Sequence, residues 1–268
     1  MLAAQPRLAR LLAALEVVDT PLDIETLGLD ALFGGDTTRA PRLPRLAEGA
    51  RVVCWLGARD EAFVRRLGAV CPDAIVAPSV GEVGLVWEHL LGTVGDPSAE
   101  WCGALAPSAA LRAEGARALR ATGWDGTRAL VIVHPGAGSA DKRWPAHGFA
   151  AALRALAGRA AIVVHRGPAD ATVADELRTM LGGGGLLDEP ELTTLAGALT
   201  HASLYLGNDS GPSHLAAMLG VPAVLLYAER NVRWRPWEPA ARVLVVEPQA
   251  ARAVDVERVA AALRTALG

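Results

Sequence analysis

Ala129-Leu130-Val131-Ile132-Val133-His134-Pro135-Gly136-Ala137-Gly138-Ser139-Ala140-Asp141-Lys142-Arg143-Trp144-Pro145 opens on an apolar run, passes through small residues and two cations, and closes on a proline suited to a first helical turn. Such a succession reads as a buried β-strand, a loop able to approach a ligand closely, and a helix. The pattern then repeats. Ala160 to Val164, Leu204 to Leu206, Ala223 to Tyr227 and Val243 to Val246 are further short apolar runs. Between and after them, Pro145 to Leu156, Ala169 to Leu181, Glu191 to His201, Pro212 to Leu219 and Val254 to Leu267 carry helical spacing. Alternation of strand and helix predicts a parallel sheet covered on both faces.

The first half is less regular. Arg51 to Leu56 and Ala74 to Ala77 read as strands, and Glu61 to Leu67 and Val83 to Thr93 as helices. Leu8, Leu11, Leu12 and Leu15 stand at helical spacing near the start, while Arg7 and Arg10 interrupt any run long enough for a signal peptide. Arg39 to Arg45, with its two prolines, reads as a surface loop, and Gly123 to Thr127 as the linker. The expected domains are therefore residues 1–122, a shortened α/β unit, and residues 128–268, a Rossmann-like unit. Gly182 to Gly185 precedes a short Leu186 to Leu187 strand instead of following one, so it reads as a turn and not as a dinucleotide fingerprint.

With 268 residues, 51% of them apolar, the chain has enough material for two ordinary cores. A formal net charge of −3 argues against general nucleic-acid binding. Acidic ligands must then be met by local cations. Cys54, Cys71 and Cys102 lack the short paired spacings of a zinc or redox site, and neither a metal nor a cofactor is expected. No stretch reaches the roughly 18 uncharged apolar residues of a membrane span. The expected location is the cytoplasm, with at most peripheral contact with the inner membrane.

Three segments fall just beyond the carboxyl ends of expected strands, where parallel α/β sheets bind ligands. In the opening loop, Gly136 and Gly138 permit close backbone approach to a phosphate and Lys142 supplies a point charge. Gly207-Asn208-Asp209-Ser210-Gly211-Pro212-Ser213-His214 sets Ser210 as a helix N-cap and Pro212 in the first turn, where freed N–H groups and the helix dipole favour a diphosphate. Capping does not account for Asn208, Asp209 and His214 in the same turn. Gly167-Pro168-Ala169-Asp170 places an acidic residue at a helix start, readable either as an acceptor for ribose hydroxyls or as a plain helix-terminal charge.

The order His-Pro-Gly-Ala-Gly, Lys-Arg-Trp-Pro, Gly-Pro-Ala-Asp and Gly-Asn-Asp-Ser-Gly-Pro-Ser-His-Leu-Ala-Ala, followed by Gly220-Val221-Pro222, resembles glycosyltransferase family 9. That family includes the ADP-heptose:lipopolysaccharide heptosyltransferases, built from two Rossmann-like domains in the fold called GT-B. The resemblance is strong over Ala129 to Gly268. Trp234-Arg235-Pro236-Trp237 falls where family members carry a Trp-containing loop, whereas Ala228-Glu229-Arg230-Asn231 departs from their pattern. The resemblance implies a nucleotide-sugar donor, ADP-heptose or similar, and a lipopolysaccharide-core or related glycan acceptor. Lys142 would face the donor diphosphate, with Gly138 and Ser139 approaching through the backbone. Asp209, Ser210 and Gly211 would hold phosphates and sugar, His214 would lie nearby, and Asp170 would lie toward the ribose.

The first domain resembles the family only faintly. Family members open with a strand and a Gly-Asp loop whose aspartate is the proposed base, and no such opening is recognisable here. Gly34-Gly35-Asp36 has the letters, but no apolar strand leads into it. The resemblance implies that the chain is short of the family's first domain by at least one βαβ unit of about 30 residues. The base is therefore unassigned. Two readings follow: an inverting, metal-independent heptosyltransferase, or a donor-binding protein with weak or no transfer activity. A nicotinamide oxidoreductase would rest on architecture alone, which is weak support.

Overall fold

The structure is a computed structural model that describes residues 1–34, 48–95, 103–237 and 239–268. Two compact units divide the chain, Met1–Trp101 and Cys102–Gly268.

The second unit is built on β5 (Ala129–His134), β6 (Ala160–Arg166), β7 (Gly185–Asp188), β8 (Leu204–Asn208), β9 (Ala223–Tyr227) and β10 (Ala241–Val245). They form one parallel sheet in the order β10-β9-β8-β5-β6-β7. The two central strands β5 and β8 and their neighbour β9 are almost wholly buried, which is why they read as unbroken apolar runs and not as alternating ones. One face packs Val131, Val133, Leu204, Leu206, Val224 and Leu226 against α6 (Ala146–Leu153), α7 (Ala171–Met180) and α10 (Ala253–Leu267). Asp255, fully buried at the start of α10, is held by Arg252 Nε at 2.8 Å and Arg258 Nη1 at 3.3 Å, and Arg258 also donates to Val245 O at 2.9 Å, tying α10 to β10. Gly182, Gly183 and Gly184 take positive φ of 75°, 101° and 122°, so that segment is the turn expected.

The boundary differs from the sequence expectation at Gly123–Thr127. The helix α5 (Ala109–Ala121), assigned above to residues 1–122, belongs to the second unit. It lies against α8 (Leu192–Leu199), with Gly115 and Gly197 at the crossing. A Cβ on Gly115 would stand 2.0 Å from Gly197 C, and one on Gly197 would stand 1.9 Å from Leu111 O. Only two glycines allow the backbones to touch. Thr194 Oγ1 donates to Glu114 Oε1, the His201 ring pairs with Arg112 O at 2.9 Å, and Leu105 N donates to Met218 O at 2.7 Å.

The first unit contains β1 (Leu2–Ala4), α1 (Pro6–Ala14), β2 (Pro21–Asp23), α2 (Asp30–Gly34), β3 (Val53–Cys54), α3 (Glu61–Val70), β4 (Ile75–Val76) and α4 (Val86–Val94). Among the described residues β1 pairs with β2 and β3 with β4, each pair parallel and separate from the other. The helical spacing of Leu8, Leu11 and Leu12 is that of α1, which begins at Pro6 after the strand β1. Phe63 and Leu67 of α3 bury against Leu32 of α2, and Asp60 caps α3 through Ala62 N and Phe63 N, both at 2.9 Å. Asp23 closes β2, so one acidic residue of the first unit sits at a strand end. Its Oδ1 accepts from Glu25 N at 3.0 Å. Gly35, Asp36 and the Arg39 to Arg45 loop lie outside the described residues. Among the described residues no helix is long and apolar enough to cross a membrane.

Candidate functional site

Parallel strands put their carboxyl ends on one edge, so the segments after β5, β6, β8 and β9 converge there. The loop 135–144 after β5 is fixed by two buried side chains from elsewhere in the chain. Asn208, at the end of β8 and fully buried, donates from Nδ2 to Pro135 O at 2.8 Å and accepts the Trp144 N–H on Oδ1 at 3.1 Å. It clamps both ends of the loop. The Trp144 ring is itself buried, edge-on to Phe149 at 5.3 Å. Asp170, at the start of α7 and 7% exposed, is the second support. Its carboxylate fills the place a side chain would need at Gly136: a Cβ there would stand 2.1 Å from Asp170 Cγ, and one on Gly167 would stand 2.7 Å from Oδ2.

Two basic side chains lie beside Asp170. His134 Nε2 is 3.6 Å from Oδ2, and Arg143 Nη2 is 3.9 Å from Oδ1 while also donating to Ala137 O at 3.4 Å. The His134 and His165 rings stack tilted at 4.6 Å. Burial pushes both imidazoles below their ordinary value, His165 furthest, and the nearby Asp170 only partly offsets this for His134. Both are neutral at pH 7. Asp170 Oδ1 and His165 Nδ1 are buried without a hydrogen bond.

The loop delivers Lys142 on a 3₁₀ turn, Ala140–Lys142, whose Lys142 N donates to Ser139 O at 3.2 Å. Lys142 Nζ lies 2.9 Å from Asp209 Oδ2, with the lysine side chain 33% exposed and the aspartate 6%. Asp209 is fixed from behind by its own N–H, which donates to Leu226 O at 3.0 Å. Gly138 is exposed and Ser139 half-buried on the approach to this pair. Ser139 hydrogen-bonds the exposed Asp141, and with Arg230 beside it lowers that carboxyl's pKa. Arg230, from the 3₁₀ turn Glu229–Trp234 after β9, pairs with the Asp141 carboxylate and donates to its carbonyl at 3.1 Å.

The helix α9 (Gly211–Met218) starts beside Asp209. Ser210 occupies the N-cap position in extended conformation, yet its hydroxyl does not cap the helix. It turns to Ser213 Oγ at 3.1 Å, while its carbonyl accepts Ser213 N and His214 N at 3.1 and 3.2 Å. Ser213 was not singled out above, and it ties the turn together: its Oγ donates to Asn208 O and lies 3.2 Å from Tyr205 OH. A Cβ on Gly207 would stand 2.6 Å from that phenol oxygen, which accounts for the glycine. Gly211 is exposed, with nothing within 4 Å of where its Cβ would be. His214 Nε2 is 3.5 Å from Tyr227 OH, and burial lowers its pKa against the pull of Asp209. Burial likewise pushes the Tyr227 phenol far up.

Lys142, Asp209, Ser210, Gly211 and His214 thus gather at one helix start, with Gly138 and Ser139 on the loop that carries the lysine. Asp170 lies beneath that loop at Gly136. The gathered set offers a cation, a helix N-terminus and an exposed glycine, a combination suited to a phosphate-bearing ligand.

A family model described as glycosyltransferase family 9 (heptosyltransferase) matches residues 97–262. Among curated proteins, lipopolysaccharide heptosyltransferase 3 of Escherichia coli is 32% identical over 118 residues, 40% of this chain and 34% of the relative. The same-named protein of strain K12 is 33% identical over 117 residues. The chain thus aligns with about a third of the length of the curated relatives it matches. Among solved structures, E. coli ADP-heptose LPS heptosyltransferase II superposes with a TM-score of 0.64 at 19% identity, covering 85% of this chain and 81% of that one. A family 9 glycosyltransferase from Veillonella parvula DSM 2008 gives 0.64 at 19%, covering 87% and 79%. E. coli heptosyltransferase WaaC with ADP-2-deoxy-2-fluoro heptose gives 0.62 at 15%, covering 97% and 88%. These likenesses show the fold, the GT-B class expected from the sequence.

Proposed function

The chain belongs to glycosyltransferase family 9, and from that premise we propose that it binds a nucleotide-diphosphate sugar, ADP-heptose above others, for transfer to a lipopolysaccharide-core or related glycan in the cytoplasm. The observation that carries the reading is the Lys142–Asp209 pair at the start of α9. As the glycosidic bond to the donor breaks, negative charge grows on the departing diphosphate. Lys142 and the N–H groups at the Gly211 end of α9 would stabilise that charge. A carboxylate repels phosphate, so Asp209 acts through the lysine, aiming it, or accepts hydroxyls of the donor sugar. Gly138 and Ser139 approach the diphosphate through the backbone, and Asp170 supports the loop from below, toward the side on which the ribose would lie. ADP is favoured because a solved structure with this fold is described with an ADP-sugar analogue.

The test is thermal denaturation and calorimetry with ADP, UDP, GDP and their sugars, without added metal. At 100 times its dissociation constant ADP should add about 2.7 kcal/mol of stability. Preference for UDP or GDP would move the donor assignment, and no shift with any of the three would remove the nucleotide-sugar reading. A second reading, donor binding with little transfer, is favoured by the two separate strand pairs of the first unit.

A further inference from the structure

Asp141, Lys142 and Arg143 are successive charged residues, and each meets an opposite charge on a different loop. Lys142 reaches Asp209 after β8 at 2.9 Å, Arg143 turns to Asp170 after β6 at 3.9 Å, and Asp141 turns to Arg230 after β9. Asn208 and Asp170 act on the loop at Pro135, Gly136 and Trp144, near its two ends. Its middle, which carries Lys142, is held by other groups.

Arg230 Nη2 donates to Asp141 O at 3.1 Å as well as to the Asp141 carboxylate. Gln249, on the turn after β10, donates its backbone N–H to Arg143 O at 2.9 Å and its Nε2 to Ala140 O at 3.5 Å. The carbonyls of residues 140, 141 and 143, on both sides of Lys142, thus accept bonds from outside the loop. β8 stands between β9 and β5 in the sheet, so the Arg230–Asp141 contact joins loops on either side of the strand end from which Asp209 emerges.

Gln249 is also an exception to local rules. Ala250 N donates to Glu247 O at 3.4 Å, Pro248 comes next after Glu247, and Gln249 has φ of 64°. That is the shape of a type II turn, whose third position favours glycine. A glutamine there is strained, and such strain persists where the surrounding structure makes use of the residue. Here both donors of Gln249 end on the turn that carries Lys142.

We propose that Arg230 and Gln249 are positioning residues for Lys142. They clasp the 140–143 turn from outside, so that the ammonium stands at Asp209 and the start of α9 before a ligand arrives. Ordering a long, partly exposed side chain at the moment of binding costs affinity, and a turn fixed beforehand lowers that cost. What the clasp serves rests on the donor reading above; that the clasp exists does not.

The test has two parts. With ADP as the probe, calorimetry on Arg230→Ala should show a dissociation constant raised about 3- to 5-fold, the upper range for an exposed ion pair. In a Lys142→Ala background the same change should cost less than about 2-fold, because a residue acting through Lys142 has nothing left to position. A loss that persists without Lys142 would put Arg230 on the ligand, and no loss in either background would leave it without a role; both overturn the proposal. The second part needs no ligand. Lys142 and Arg143 N–H donate to Ser139 O and Ala140 O, and their hydrogen exchange should quicken at least about 3-fold in Arg230→Ala and in Gln249→Gly. Exchange at Trp144 N–H, held by Asn208, should not change. Gln249→Gly suits the turn and should hold or raise the melting temperature, so faster exchange there reports the clasp and not general loosening. Unchanged exchange at Lys142 and Arg143 in either variant overturns the proposal. A wild-type chain that binds no ADP removes the donor reading, and the exchange measurement then decides the clasp by itself.

Discussion

Gly136 and Asp170 contend for one volume, because a Cβ on Gly136 would stand 2.1 Å from Asp170 Cγ. Gly136→Ala should therefore destabilise the protein by about 2 kcal/mol through overpacking, and Asp170→Ala in the same molecule should recover at least half of that. Chemical denaturation of the two single variants and the double variant measures the coupling, and strict additivity would show that the two residues do not meet. Lys142 is different in kind, being partly exposed and ending on an ion pair. Lys142→Ala should weaken ADP binding about 10-fold or more, about 1.4 kcal/mol, and more than Asp170→Ala does. Calorimetry giving equal or reversed losses would take Lys142 out of the phosphate site. His134 and His165 supply a pH signature. Burial holds their folded pKa values below the unfolded value near 6.5, so between the two the unfolded state binds more protons. Their contribution is complete above about pH 6.5 and is lost as pH falls through that window. Melting temperatures from pH 7.5 to 5 should decline, with a shallower slope in His165→Gln. At this scale the sequence showed which residues matter better than what they do. Lys142 and Asp209 are legible as charges at a helix start. The clamp by Asn208 and the wedge by Asp170 depend on partners 64 and 34 residues away, which no local pattern reports.

α5 shows where reading the sequence failed for an element and why. Its buried positions in the second unit are Gly115 and Leu119, so it presents almost no apolar stripe, and its packing relies on the glycine contact with α8. Backbone contact leaves no periodic signal. By contrast β5, β8 and β9 announce themselves as continuous apolar runs, and their helices follow at regular intervals. In the first unit, strands of two or three residues such as β1 and β3 are too short for periodicity to register. The packing of α5 has a measurable consequence. A fragment of residues 103–268 should fold with a cooperative transition, whereas one of residues 128–268 should bind hydrophobic dye and aggregate, because Leu195, Ala198 and Leu199 are now fully buried in an α8 that packs against α5. Equal stability of the two fragments would place α5 outside the second unit after all. Gly115→Ala in the full chain should cost about 3 kcal/mol, since the obstruction is backbone and cannot rotate away.

For the molecule as a whole, the described residues build one six-stranded sheet in the second unit and two strand pairs in the first, and catalysis needs something from each half of the reaction. The donor half calls for charge stabilisation, and in the function proposed above Lys142, Asp209 and the start of α9 would supply it along one sheet edge. The acceptor half calls for a base within about 3.2 Å of the hydroxyl it deprotonates, directly or through one water, and such a base typically contributes about 10²- to 10⁴-fold. Among the described residues of the first unit, β1 pairs only with β2 and β3 only with β4. Asp23 closes β2, and its carboxylate is engaged with Glu25 N. The 268-residue chain should therefore bind ADP normally and transfer sugar far below about 1 s⁻¹, an ordinary enzymatic rate. ADP-heptose supplied with deacylated lipopolysaccharide core, with ADP release and acceptor glycosylation followed together, measures this. Turnover near or above 1 s⁻¹ would mean that a base is already in place, and its loss in Asp23→Asn or in Asp36→Asn, with ADP binding unchanged, would then say which carboxylate it is.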